Sequence, residues 1–139
     1  MKKSTAVVPV KAYKNLDFLN GDSARTLRIL SEYLEPETRF KRLGVHNAVI
    51  FYGSARLQPK PKKGPDWYAL TAQLAERIAR WTVKTHPLGS RYHIVTGGGP
   101  GIMQAAHEGA ARVDAALNVG LNISLPFEQH VNPHVREGH

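Results

Sequence analysis

Thr96-Gly97-Gly98-Gly99-Pro100-Gly101-Ile102-Met103 decides how the rest of this chain is read. It follows the apolar segment Tyr92-His93-Ile94-Val95 and opens a stretch with helical apolar periodicity. Glycines let the backbone turn tightly and lie close to a ligand with no Cβ in the way. Pro100 is expected at the first helical position, where its missing N–H is not needed. The N–H groups of a first helical turn, with the positive end of the helix dipole, can hold an anion. Strand, glycine turn and helix together predict a phosphate cradle; the plainer alternative is a tight strand-to-helix turn with no ligand.

Working outward, Ile102, Ala105, Ala106, Gly109, Ala110 and Val113 make a narrow small-residue helix face suited to lying close on a sheet. A third strand is expected over Leu117–Leu125, ended by Pro126. Upstream, Ala48-Val49-Ile50-Phe51-Tyr52 is a continuous apolar run of β-formers ending at Gly53-Ser54-Ala55. It reads as a central parallel strand covered on both faces. The loop from Arg56 to Gly64 contains Pro59 and Pro61 and cannot be regular. Pro65 suits the first turn of the next helix, whose inner stripe is expected at Leu70, Leu74 and Ile78. The pattern is α/β: the βαβαβ half of a Rossmann-like, doubly wound parallel sheet with flanking helices. Ligands of such sheets bind beyond the carboxyl ends of the strands, where both glycine-bearing turns lie.

The chain of 139 residues carries a net charge of +8 and no cysteine, and 42% of it is hydrophobic. That is one domain's length, with no disulfide and no cysteine-ligated metal. Three segments are expected: a flexible, extended basic arm over 1–20, a helical extension over 21–44, and a partial Rossmann-like domain over 45–139. Gly21-Asp22-Ser23 offers a helix cap, Pro36 breaks or restarts the helix after Leu34, and a second short helix stops at Gly44. No run approaches the ~20 apolar residues of a membrane span, and the N-terminus lacks a signal-peptide core. A cytoplasmic protein is expected, with no membrane partner. The basic residues are spread over several segments and not interleaved with aromatics along one helix, so specific nucleic-acid binding is not expected.

Several chemistries are disfavoured by spacing. The dinucleotide fingerprint G-x-G-x-x-G, started at Gly97, meets Ile102 at its sixth position and follows the second strand. The P-loop needs Gly-Lys-Ser/Thr, whereas Gly101 is followed by Ile102-Met103. His86, His93 and His107 read as surface or loop residues, and His130 and His134 are separated by Pro133, so no metal is expected. Ser54 lacks a G-x-S-x-G elbow, and its hydroxyl suits a phosphate or sugar oxygen. Met103 reads as core, with contact to a flat base open to it from the loop mouth.

From about Ala48 onward the chain resembles the LOG family of Rossmann-like, "lysine decarboxylase-like" nucleotide-binding proteins. The resemblance rests on Phe51-Tyr52-Gly53-Ser54-Ala55-Arg56, on Val95 through Ala106, and on Gly120-Leu121-Asn122-Ile123-Ser124-Leu125-Pro126-Phe127-Glu128-Gln129. It is closest to the branch with an N-terminal helical extension. It implies a nucleoside 5′-monophosphate phosphoribohydrolase, which cleaves AMP-like nucleotides to free base and ribose 5-phosphate. The binding positions it implies here are Gly53, Ser54, Gly97, Gly98, Gly99, Gly101, Ile102 and Met103, with Glu128 and Asn132 after the third strand. It implies no cofactor: the decarboxylase label would need pyridoxal phosphate, and no lysine here is marked for it. The family's second signature, P-G-G-x-G-T-x-x-E, and the arginine before it are absent from this sequence. No catalytic residue is therefore carried over, and the chain looks like the N-terminal part of a longer protein holding part of a site.

Two other functions stay open: a module that binds or senses a phosphorylated ligand without chemistry, and an interaction protein that uses the N-terminal helices. In the expected topology Ala48–Tyr52 lacks a neighbour on one side, and a bare strand edge invites pairing with another chain. The 139 residues alone are expected to form homo-oligomers, swap or aggregate. Size-exclusion chromatography and thermal melting check this, and a monodisperse, heat-stable monomer would contradict it.

Overall fold

The computed structural model describes residues 9–61, 63–123 and 131–135. The chain divides after Thr38 into two compact units, Met1–Thr38 and Arg39–His139. In the first, residues 12–20 are not extended: a 3₁₀ turn covers Ala12–Lys14 and helix α1 covers Leu16–Asn20. Asn15 caps α1 by accepting the Phe18 N–H at 3.2 Å. The Arg28 guanidinium donates to the carbonyls of Leu19 and Gly21, both at 2.7 Å, and so satisfies acceptors that a helix end leaves open. Residues 1–8 lie outside the described residues.

Helix α2 runs without a break over Arg25–Leu43, with Pro36 inside it. The expected restart at Pro36 does not occur. Proline removes one i→i−4 bond and crowds the Glu32 carbonyl, at roughly 3 kcal/mol. Good helix formers flank it on both sides, and Lys41 and Arg42 suit the negative pole of the last turn.

The second unit holds a three-stranded parallel sheet flanked by helices. Its strands are β1 (Asn47–Ile50), β2 (Tyr92–Thr96) and β3 (Asn118–Gly120), in the spatial order β1-β2-β3. Val49 pairs with Ile94, and Ile94 with Asn118. Bonds from Phe51 N–H to the Val95 carbonyl (2.9 Å) and from Leu121 N–H to the Thr96 carbonyl (2.8 Å) carry the ladder beyond both ends. β3 is shorter than the expected Leu117–Leu125; its last two expected residues lie outside the described residues.

β1 is not covered on both faces. Its burial alternates, with Ile50 54% and Tyr52 84% exposed, while Val49 and Phe51 pack on the core. Among the described strands it forms one edge of the sheet. An apolar run read as doubly buried is here a strand with one covered face.

Helix α3 spans Trp67–Thr85 and α4 spans Ile102–Asp114. Asp66 caps α3 by accepting the Ala69 N–H at 2.9 Å, which leaves Pro65 before the helix and not in its first turn. The inner face of α3 is Tyr68, Ala72, Ala75, Ala79 and Thr82; of the expected stripe only Ile78 packs on the core, while Leu70 and Leu74 are half exposed. The reason is close approach. A Cβ on Gly109 of α4 would land on the Ala72 carbonyl oxygen, so only small side chains fit between the two helices. Ala75, Ala79, Ala106 and Ala110 then close on Ile94 and Leu117 as the core. The expected small-residue face of α4 is the one it buries, with His107 added to it.

Polar groups tie the helix pair at its rim. The Tyr68 hydroxyl donates to Glu108 at 2.9 Å, Arg112 bridges Glu108 (2.7 Å) and Glu76 (3.3 Å), and Arg80 meets Glu76. Burial and the bond to Glu108 push the Tyr68 phenol up to about 12, so it stays a donor throughout the working pH range.

Gly109→Ala is expected to destabilise the chain by about 1–3 kcal/mol, because overpacking at the crossing outweighs the helix propensity that alanine adds. Gly89→Ala, where nothing lies within 4 Å of the new Cβ, should be near neutral. Urea midpoints of the two variants check the pair.

Candidate functional site: the two glycine turns

The turns after β1 and β2 are packed into one another. A Cβ on Gly53 would sit 2.7 Å from the Ile102 side chain. A Cβ on Gly101 would strike the Ser54 carbonyl and the Ala55 backbone. The Ile102 N–H donates to the Ser54 carbonyl at 3.1 Å. Two strand ends and the start of α4 therefore share one small volume, which only glycine at 53 and 101 permits. Gly101 also has φ +70°, a conformation L side chains rarely adopt.

Gly101, not Pro100, is the cap of α4, and its carbonyl accepts the Ala105 N–H at 2.9 Å. Pro100 lies one residue before the cap. Part of the expected cradle is occupied by the protein itself: Ile102 N–H by Ser54, and Gly98 N–H by the Thr96 hydroxyl at 2.9 Å. Among the described residues no partner meets the N–H groups of Gly97, Gly99 or Met103. Met103 lies across the turn: a Cβ on Gly97 would sit 3.1 Å from its Sδ, and one on Gly99 2.8 Å from its Cε. Ser54 is exposed, and its Oγ accepts the Arg56 N–H at 3.2 Å, so its own proton remains available to a ligand oxygen.

The turn is braced from the inside by residues the expected site did not emphasise. His107, fully buried on α4, stands 3.3 Å from the Thr96 hydroxyl through Nε2. Asn132 is buried too. Its backbone N–H donates to the Gly98 carbonyl at 2.7 Å. Its side-chain amide reaches the Gly98 carbonyl (3.0 Å), the Gly99 carbonyl (3.2 Å) and His107 Nδ1 (3.1 Å). Two amide hydrogens serve three acceptors, so one is shared. Asn118 of β3 donates to the carbonyls of His107 (2.8 Å) and His134 (2.9 Å). The segment 131–135 is thereby fastened under the glycine turn.

Because Asn132 donates to Nδ1, His107 is the neutral tautomer with its proton on Nε2. Burial holds its pKa below the usual imidazole value, and hydrogen bonds to the Ile94 and Val119 backbone only partly offset this; the nearby His134 lowers it further. His93 is buried as well, so neither histidine is the surface or loop residue expected. Spacing could have found His107: it lies beside Ala106 and Ala110 on the buried arc of α4.

Of the expected binding residues, Gly53, Ser54, Gly97, Gly98, Gly99, Gly101, Ile102 and Met103 come together around these turns. Asn132 joins them from below as a brace, with its amide turned to the loop carbonyls. Glu128 lies outside the described residues. Among the described residues no group of three histidines, cysteines or carboxylates could hold a metal, and no helix is long and apolar enough to cross a membrane. No protein-family model matches the chain, and no curated protein matches it either.

Two outcomes are expected. Asn132→Ala should cost about 1–3 kcal/mol, since it strips partners from buried carbonyls and an imidazole nitrogen; denaturant unfolding measures it. His107 binds fewer protons folded than unfolded, so its contribution is complete above about pH 6.5 and is lost as pH falls from there toward its lowered folded value. Unfolding free energy between pH 7 and 5 should drop by up to ~1.4 kcal/mol per unit from this group, and His107→Gln should flatten that slope.

Proposed function

We propose that the chain binds a nucleoside 5′-monophosphate at the paired glycine turns, as a Rossmann-like domain of the LOG type. The observation that carries this is the packing of Gly53-Ser54 against Gly101-Ile102, which brings two strand ends and a helix start to one point. The ligand's phosphate would lie on the N–H groups of Gly97, Gly99 and Met103, with the Ser54 hydroxyl as a further donor. The Met103 thioether offers a polarisable surface for the base. In the LOG family this site supports cleavage of the N-glycosidic bond. That reaction needs a group to assist the leaving base while positive charge builds on the ribose. No P-G-G-x-G-T-x-x-E segment supplies such a group in this sequence, so the activity proposed for these residues is binding without turnover.

A second reading has its own support. Leu27, Leu30 and Leu34 follow one another at helical spacing on α2 and are exposed, which suits an apolar partner surface. Loss of a partner on deleting residues 1–44, with AMP binding retained, would favour it.

Titration calorimetry with AMP should give saturable binding, and Ser54→Ala should weaken it about 10- to 100-fold, the worth of one hydrogen bond to a charged oxygen. Chromatography of the same mixtures should show no adenine release. Absence of AMP binding would overturn the reading, and robust adenine release would overturn its restriction to binding.

A further inference from the structure

The irregular loop between β1 and α3 lines a half-open groove that the glycine turns do not account for. Its volume is about 490 Å³, and Arg56, Lys60, Lys63, Pro59 and Trp67 are among the residues that line it. That volume falls in the range of small-molecule sites. Trp67 is 56% exposed, an uncommon state for so large an aromatic surface. The groove's charge is one-sided. No carboxylate pairs with the side chains of Arg56, Lys60 or Lys63 among the described residues. Asp66 is the one acidic residue between 56 and 67. Its two oxygens are engaged by the N–H groups of Ala69 (2.9 Å) and Lys60 (3.0 Å). The groove also opens at the N-terminus of the 19-residue helix α3, where the Asp66 cap offsets the helix dipole, so its excess positive charge is that of the three basic side chains.

We propose that this groove is a second ligand site, for a free nucleoside di- or triphosphate. Three cations with no carboxylate partner among the described residues match a polyphosphate better than a single phosphate, and the exposed indole supplies a face on which a base stacks. A half-open groove of this volume, lined by residues of one loop, has room for one nucleotide; a strand of nucleic acid would call for a longer track of charge and aromatics. The inference is independent of the glycine-turn reading, since it uses different residues and a different part of the β1–α3 connection.

Trp67 provides the readout, as one of only two tryptophans in the chain. The full 139-residue chain is titrated with ATP, ADP, AMP, tripolyphosphate and oligouridylate in the presence of EDTA. Tryptophan fluorescence and calorimetry follow binding in parallel. Saturable one-to-one quenching by ATP and ADP is expected, with AMP and tripolyphosphate each at least 10-fold weaker. Arg56→Gln with Lys63→Gln should weaken ATP at least 10-fold and steepen no salt dependence. Trp67→Leu should weaken ATP by calorimetry and abolish the quenching while leaving the fold's melting transition in place. Three results would overturn the proposal: ATP affinity unchanged in the double charge variant, tripolyphosphate as tight as ATP, or oligouridylate tighter than ATP. The last would make the groove a nucleic-acid surface.

Discussion

The neutral imidazole of His107, held between Thr96 and Asn132 at the floor of the glycine turn, is the contact on which the arrangement of this unit depends. The turn has no side chains of its own to fix it. Its glycines are free to adopt many conformations, and that freedom must be removed from outside. Thr96 holds the Gly98 N–H, Asn132 holds the carbonyls of Gly98 and Gly99, and His107 joins the two. Three elements that are distant in sequence thus converge on one loop. Each bond is worth only about 0.5–1.5 kcal/mol net, but an unsatisfied member at this depth would cost more, so the set holds or fails together.

Close approach is the second constraint, and it explains the composition of the core. The large side chains that dominate most interiors are scarce here; alanines and one glycine fill the space between α3 and α4. Small residues let the helix backbones come together, and the same choice leaves Leu70, Leu74 and Trp81 toward the outside. Among the described strands β1 forms one edge of the sheet, and its exposed Ile50 and Tyr52 add apolar surface there. Surfaces of that kind are the ones proteins use for contact with further chain segments.

The parts legible in the sequence were those dictated by local chemistry. β2 forms on the apolar segment Tyr92–Val95 and takes in Thr96, and the small-residue face of α4 is the face it buries. The irregular loop before α3 follows from Pro59 and Pro61. The leucine stripe of α3 was misleading because periodicity marks an apolar arc without saying which side meets a neighbour. Ala72, Ala75 and Ala79 form an arc of equal regularity, and the crossing at Gly109 selected it. Pro36 misled for a related reason: its cost is real, and a long helix of good formers absorbs it.

The sequence by itself determined that residues 92–114 make a strand, a glycine turn and a helix, because backbone sterics and side-chain periodicity act over a few residues. It also determined that glycine stands at the positions where the backbone passes closest to its neighbours. Only the tertiary structure decided what those glycines approach: Gly53 the Ile102 side chain, Gly101 the Ser54 carbonyl, Gly109 the Ala72 carbonyl. It alone made His107 and Asn132 a brace, since they stand 25 positions apart and nothing local links them. Contacts of that kind arise when parallel strands are brought side by side, and that pairing is a property of the assembled sheet and not of any one segment.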